Sequence, residues 1–195
     1  MGEGIHIRLA NIIPESLVNG PGLRRVYFSQ GCTHNCPGCF NLETHDFNGG
    51  HVYDVLELAQ DVINNPIIKG VTFSGGDPFQ QSLPFYHLAR ILKNFRPDID
   101  IWAYTGYTFE YLVAYKYPDE MKKNGRDLLS MVDTLVDGRF DLLKKDENLK
   151  FRGSSNQRII DVQKSLIVGE TIERTEFYWL SRKLYRKDWY NEKVN

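Results

Sequence analysis

The chain has 195 residues, enough for one domain with an appendage and a substantial core; 42% are hydrophobic and 25% are charged. A net charge of −1 argues against a global attraction to nucleic acid or to an anionic membrane. No apolar run approaches the roughly eighteen residues of a membrane span, and the start, MGEGIHIRLANII, lacks the charged flank and apolar core of a signal peptide.

In chain order, LRRVYFS at residues 23–29 is rich in β-formers and predicts a strand ending at Gly31. Residues 52–63 place Val52, Val55, Leu56, Ala59, Val62 and Ile63 on one helical face. Val71, Thr72 and Phe73 form a strand running into Gly75 and Gly76. Ser82 caps a predicted helix that carries Phe85, Leu88, Ala89, Leu92 and Phe95, with Pro84 in its first turn. Residues 99–104 read as a strand ending at Thr105-Gly106, followed by short helices near 108–115 and 126–132. Residues 134–136 are a strand, 141–156 a polar loop, and 157–161 a last short strand. The tail after residue 169 mixes aromatic and basic residues, and Phe177, Leu180 and Leu184 have the spacing of an amphipathic helix.

Strands alternating with helices imply βαβ units and a parallel sheet, whose ligands bind at the carboxyl ends of the strands. The unusual residues fall there: GCTHNCPGCF, SGGDPF, YTGY and DGRF. A full eightfold barrel takes about 250 residues, so the expected fold class is α/β, an incomplete (β/α) barrel with a parallel sheet, open on one side.

All three cysteines, Cys32, Cys36 and Cys39, lie within eight residues. An odd, clustered count argues against a secreted disulfide framework and for a cytoplasmic protein with reduced thiols. Pro37 and Gly38 make the segment an irregular loop, able to wrap three thiolates around one object. An iron–sulfur cluster usually takes four cysteines, and three leave one iron with an open position. Two other classes fit the same residues. A zinc-stabilised binding module would recruit His34 or His45, and a dithiol oxidoreductase would use the pair Cys36-Pro37-Gly38-Cys39. The five histidines lack metal-ligand spacing; His6, His51 and His87 read as surface or core residues, and His34 as a loop residue near the thiols.

The Cys-x3-Cys-x2-Cys spacing resembles that of radical S-adenosylmethionine enzymes. More narrowly, NGPGLR at 19–24, GCTHNCPGCFN at 31–41, SGGDPF at 74–79, YTGY at 104–107, VDGRF at 136–140 and RGSSNQRIID at 152–161 resemble, in order, the activating proteins of anaerobic ribonucleoside-triphosphate reductase. The resemblance covers most of residues 5–168. It implies a radical S-adenosylmethionine domain over 1–168 and a C-terminal extension, helical by its spacing, over 169–195. It also implies a [4Fe–4S] cluster on Cys32, Cys36 and Cys39, and S-adenosylmethionine on the open iron. The product is a glycyl radical on the reductase's glycyl-radical subunit, with a flavodoxin-like electron donor; neither nucleic acid nor membrane is an expected partner.

By this resemblance, Gly75 and Gly76 let backbone approach the methionine part of the ligand, and Asp77 accepts from its ammonium. Gly38, Cys39 and Phe40 contact adenine, although the Phe40 ring equally suits a core. Arg24, Thr105, Arg152, Ser154, Asn156 and Arg158 are candidate contacts to ligand or partner; arginine suits a carboxylate because its fork binds bidentately. SGGDP read alone is equally an ordinary turn, and the arginines equally a solvated face.

Overall fold

The computed structural model describes residues 4–114 and 120–178. Its strands are β1 (His6–Ser16), β2 (Arg24–Ser29), β3 (His51–Asp54), β4 (Gly70–Gly75), β5 (Asp100–Tyr104), β6 (Thr134–Asp137) and β7 (Arg158–Asp161). Its helices are α1 (Val55–Ile63), α2 (Ser82–Phe95), α3 (Phe109–Val113), α4 (Glu120–Met131) and α5 (Val162–Val168). The strands form one mixed sheet in the order β3-β1-β2-β4-β5-β6-β7. The centre, β2-β4-β5-β6, is parallel as the alternation predicts, while β1, β3 and β7 join antiparallel. No described helix is long and apolar enough to cross a membrane.

Each strand divides its side chains between two faces. Tyr27, Val71, Phe73, Ile101, Ala103 and Leu135 point to the helical layer, where α2 packs between α1 and α4. The other face carries Arg24, Thr72, Trp102 and Val136, covered in part by Phe151, Phe177 and Tyr178. Parallel pairing of β2, β4, β5 and β6 leaves their carboxyl ends side by side. Each of those ends is one of the motif loops, so four segments distant in sequence meet at one edge.

Several expectations change. β1 is an eleven-residue strand absent from the sequence reading. Residues 51–54 form β3, and the following helix starts only at Val55, because the Asp54 carboxylate accepts from Leu56 N and Glu57 N and caps it there. Val52 and Leu56, assigned to a buried face, are half exposed. α5 is also additional, capped by Asp161 and closed by Gly169 in the left-handed region at φ 81°. The chain after α5 stays on the sheet: Asp161 N donates to Ile172 O and Arg174 N to Ile159 O. Leu180 and Leu184, and with them the helix predicted for the tail, lie outside the described residues.

Candidate functional site

The cysteine loop follows β2 and is irregular, so it lacks ladder hydrogen bonds of its own. Neighbouring segments hold it instead. Gly31 N donates to Thr44 O at 2.7 Å and Cys32 N to His45 O at 3.2 Å, while within the loop one turn closes from Cys39 N to Cys36 O at 3.1 Å. The turn at Pro78–Gln81 reaches back to it. Gln80 Oε1 accepts from Thr33 N, and Gln81 Nε2 donates to the carbonyls of Arg8 and Gln30. These two glutamines were not singled out in the sequence; two consecutive amides after SGGDPF were the available signal.

All three thiols open onto a cavity of about 390 Å³, shared with Gly75, Gly76 and Tyr104 on the strand ends. That is within the range of small-molecule sites. Burial raises the Cys32 and Cys36 thiols above the usual thiol range. Cys39 Sγ accepts from Asn41 N at 3.5 Å, while the backbone at His34 and Phe140 counters the rise at Cys32 and Cys36. Thiols are weak acceptors and thiolates strong ones, so backbone polarity that favours the charged sulfur suits thiolate ligands of an iron–sulfur cluster. Among the described residues no three His, Cys, Asp or Glu side chains close on a single-ion site. Thiolates bound to different irons of a cluster stand further apart than the ligands of one ion, so the two observations are compatible.

Gly75 sits at φ 93°, and a Cβ there would stand 2.6 Å from Ser29 N. A Cβ on Gly76 would stand 2.3 Å from Gly31 O. Both glycines are therefore required where β4 meets the start of the cysteine loop, as well as lining the cavity. Phe40 is 60% exposed rather than in the core; it lines the cavity and packs on Phe140 at 5.0 Å between ring centroids. Gly38 is exposed, at φ 72° beside Leu142.

Asp77 is placed differently from the expectation. It is fully buried and does not line the cavity. Its carboxylate accepts from Phe79 N at 2.9 Å, Thr105 Oγ1 at 2.8 Å, Gly106 N at 3.0 Å and His34 Nε2 at 2.6 Å. Thr105 does line the cavity, with its hydroxyl committed to Asp77.

The arginines separate. Arg24 lies at the amino end of β2, not beside the cysteine loop, and is fully buried. Its guanidinium donates to Thr72 Oγ1, Pro21 O, Val71 O and Asp100, so no donor is left for a ligand. Burial lowers its pKa, against the opposing pull of Asp100. Ser154 is likewise fully buried, its Oγ accepting from Asp141 N. Arg152 lines the cavity and lies 4.0 Å over the Tyr178 ring. Asn156 and Arg158 instead line a neighbouring open cavity of about 860 Å³, next to Pro37 and Phe140. Arg158 pairs there with Asp137 and Glu110.

A family model described as a 4Fe-4S single cluster domain matches residues 18–160. An anaerobic ribonucleoside-triphosphate reductase-activating protein of Haemophilus influenzae is 38% identical over 75% of this chain and 92% of its own length. Proteins of that name from Escherichia coli K12 and Enterobacteria phage T4 are each 36% identical, over 74% and 76% of this chain and 92% and 90% of their own. The crystal structure of QueE from Escherichia coli superposes with a TM-score of 0.42 at 15% identity, over 53% of this chain and 54% of that one, a likeness too slight to carry an argument. With one family model across most of the chain and relatives at this identity along nearly their whole length, the chain belongs to the anaerobic ribonucleoside-triphosphate reductase-activating proteins, on a 4Fe-4S single cluster domain.

Proposed function

We propose that this chain is a radical S-adenosylmethionine enzyme that generates a glycyl radical on an anaerobic ribonucleoside-triphosphate reductase, with Cys32, Cys36 and Cys39 holding a [4Fe–4S] cluster. The observation that carries the reading is one cavity into which three thiols and a glycine pair all open. When bound, the cluster supplies the electron that cleaves S-adenosylmethionine to methionine and a 5′-deoxyadenosyl radical, which takes a hydrogen atom from a glycine Cα of the reductase.

The chain's own residues supply the setting. Backbone at Gly75 and Gly76 leaves room beside the thiols for the methionine part of the ligand. Arg152, at the cavity wall, offers a cation to its carboxylate. Phe40, with the chain at Gly38 and Cys39, faces the adenine. The neighbouring cavity beyond Phe140, with Asn156 and Arg158, gives the reductase an approach from the open side. The sheet is then the wall of an incomplete (β/α) barrel, a reading supported by its run of parallel strands and by β3 and β7 standing at opposite edges. Residues 1–168 form the radical domain and 169–195 its extension. On this reading a flavodoxin-like protein is the electron donor, and reduced thiols suit a cytoplasmic protein.

Anaerobically reconstituted, reduced protein given S-adenosylmethionine should release methionine and 5′-deoxyadenosine, faster with the reductase present, and the reductase should gain the paramagnetic doublet of a glycyl radical. Cys32→Ala, Cys36→Ala and Cys39→Ala should each remove cluster and products together. Neither product from protein with an intact, reduced cluster sinks the radical reading; a variant with full cluster and activity sinks the ligand set.

A further inference from the structure

We infer that Asp77 is a positioning residue for the cysteine loop: its buried carboxylate ties that loop, through His34, to the ends of β4 and β5. The inference rests on the cysteines being the cluster's ligands, not on the radical chemistry.

A carboxylate offers about four acceptor sites. Four donors reach Asp77, Phe79 N at Oδ1 and the other three at Oδ2, and they come from three separate segments: His34 in the cysteine loop, Phe79 in the turn after β4, and Thr105 with Gly106 after β5. The side chain is fully buried and sealed from the cavity, out of reach of a ligand's ammonium. The neighbouring residues are shaped around the same contact. A Cβ on Gly106 would stand 2.4 Å from the His34 ring, so only glycine lets that ring reach Asp77. Tyr107 closes the other side, edge-on to His34 at 4.5 Å between centroids. His34 lies midway between Cys32 and Cys36 in the loop. Holding its ring fixes the backbone that sets both sulfurs.

Asparagine at 77 fails in either orientation. Its amide N–H group meets the N–H of Phe79 on one side or of Gly106 on the other, and neither backbone donor can turn away.

The test compares anaerobically reconstituted wild type with Asp77→Asn, His34→Ala, His34→Gln and the double variant Asp77→Asn/His34→Ala. Two quantities are read: the rate of iron loss to a chelator and, on molecules still loaded, S-adenosylmethionine affinity from the change in cluster spectrum. Asp77→Asn and His34→Ala should lose iron about ten- to a hundredfold faster, the range for outer partners of metal ligands. The double variant should be no faster than the quicker single one, because both changes act through one contact. His34→Gln, which keeps an N–H donor, should recover part of the loss, and loaded molecules should bind S-adenosylmethionine as wild type does. Asp100→Asn, which breaks the pair with Arg24 at the opposite end of the strands, should lower Tm without speeding iron loss.

Wild-type iron retention with weakened S-adenosylmethionine binding in Asp77→Asn would make Asp77 a ligand contact and overturn the inference. So would iron loss that follows Tm across every variant, Asp100→Asn included. Should Asp77→Asn not fold, wild-type iron retention in His34→Ala overturns it equally. No readout involves product formation or the reductase, so failure here is separate from failure of the radical reading.

Discussion

Replacing Gly76 with alanine tests the junction on which the site is built. The new Cβ would stand 2.3 Å from the Gly31 carbonyl oxygen and 3.0 Å from that of Thr44. Ordinary contact begins at 3.4 Å, so the Gly31 oxygen must retreat by about 1 Å (3.4 − 2.3 = 1.1). It is not free to do so, since it accepts from Asp77 N at 3.0 Å while Gly31 N donates to Thr44 O at 2.7 Å. Overpacking against fixed backbone costs about 1–3 kcal/mol. At roughly 2–4 °C per kcal/mol for a chain of this size, Tm should fall by about 2–12 °C. Gly31 directly precedes Cys32, so the displacement also falls on the cysteine loop, and iron retention and S-adenosylmethionine affinity should decline together. The measurements are thermal unfolding of the reconstituted protein, iron per chain, and ligand titration followed by the cluster spectrum. An alanine variant with wild-type Tm, full iron and unchanged affinity would refute the argument, because no backbone could then lie where the Cβ must go.

Arg24→Ala should strand the Asp100 carboxylate, the buried carbonyl of Val71 and the part-buried one of Pro21. Breaking a buried pair costs about 3–5 kcal/mol, nearer the lower figure here because Asp100 keeps 34% exposure. The urea midpoint should fall with unchanged slope while the folded fraction binds S-adenosylmethionine normally; weakened binding would return Arg24 to the ligand site. Hydrogen bonds from Arg158 hold the Glu110 carboxyl down from 4.5 to about 2. A depressed carboxyl adds stability above its unfolded value and loses it as pH falls, so the window runs from about pH 4.5 down to about 2. Glu110→Gln should lose less stability than wild type across that window, modestly because Glu110 is 56% exposed, and superimposable acid-unfolding curves would refute the assignment.

What the sequence displayed of the fold follows from where each element is buried. The central strands are covered on both faces and read as short apolar runs, so β2, β4, β5 and β6 were legible. β1 was not, because only Ile7, Leu9 and Ser16 along its eleven residues are buried, and Asn11, Pro14 and Glu15 break the alternation. Residues 51–54 failed for a different reason. Val52, Val55 and Leu56 satisfy a helical period, and a four-residue strand carries too little pattern to compete. The deciding signal was local: Asp54 three residues before Glu57 is a capping pattern, and it sets the helix start. Asp161 and Gly169 mark α5 by the same kind of chemistry. The antiparallel direction of β7 depends on how the loop after β6 folds back, which four residues do not encode.

The site divides along the same line. Thiols announce themselves by type and spacing, and glycines at strand ends announce close backbone approach. Asp77 was visible as a residue but not as a role, because a side chain's direction is chosen by partners 28, 29 and 43 positions away: Thr105, Gly106 and His34. Those partners are needed for a physical reason. A loop that wraps three sulfurs cannot follow a strand or helix, so it loses the ladder bonds that hold regular structure in place. Something else must fix it, and a buried acceptor shared by three segments does so at the one point where all three meet. Such an acceptor has to lie under the ligand cavity, next to the motif that binds, which is why it reads in one dimension as part of that motif. Burial and donors together separate the two roles. A carboxylate open to the cavity can take a ligand, and one buried among the protein's own backbone and side-chain donors holds the protein together.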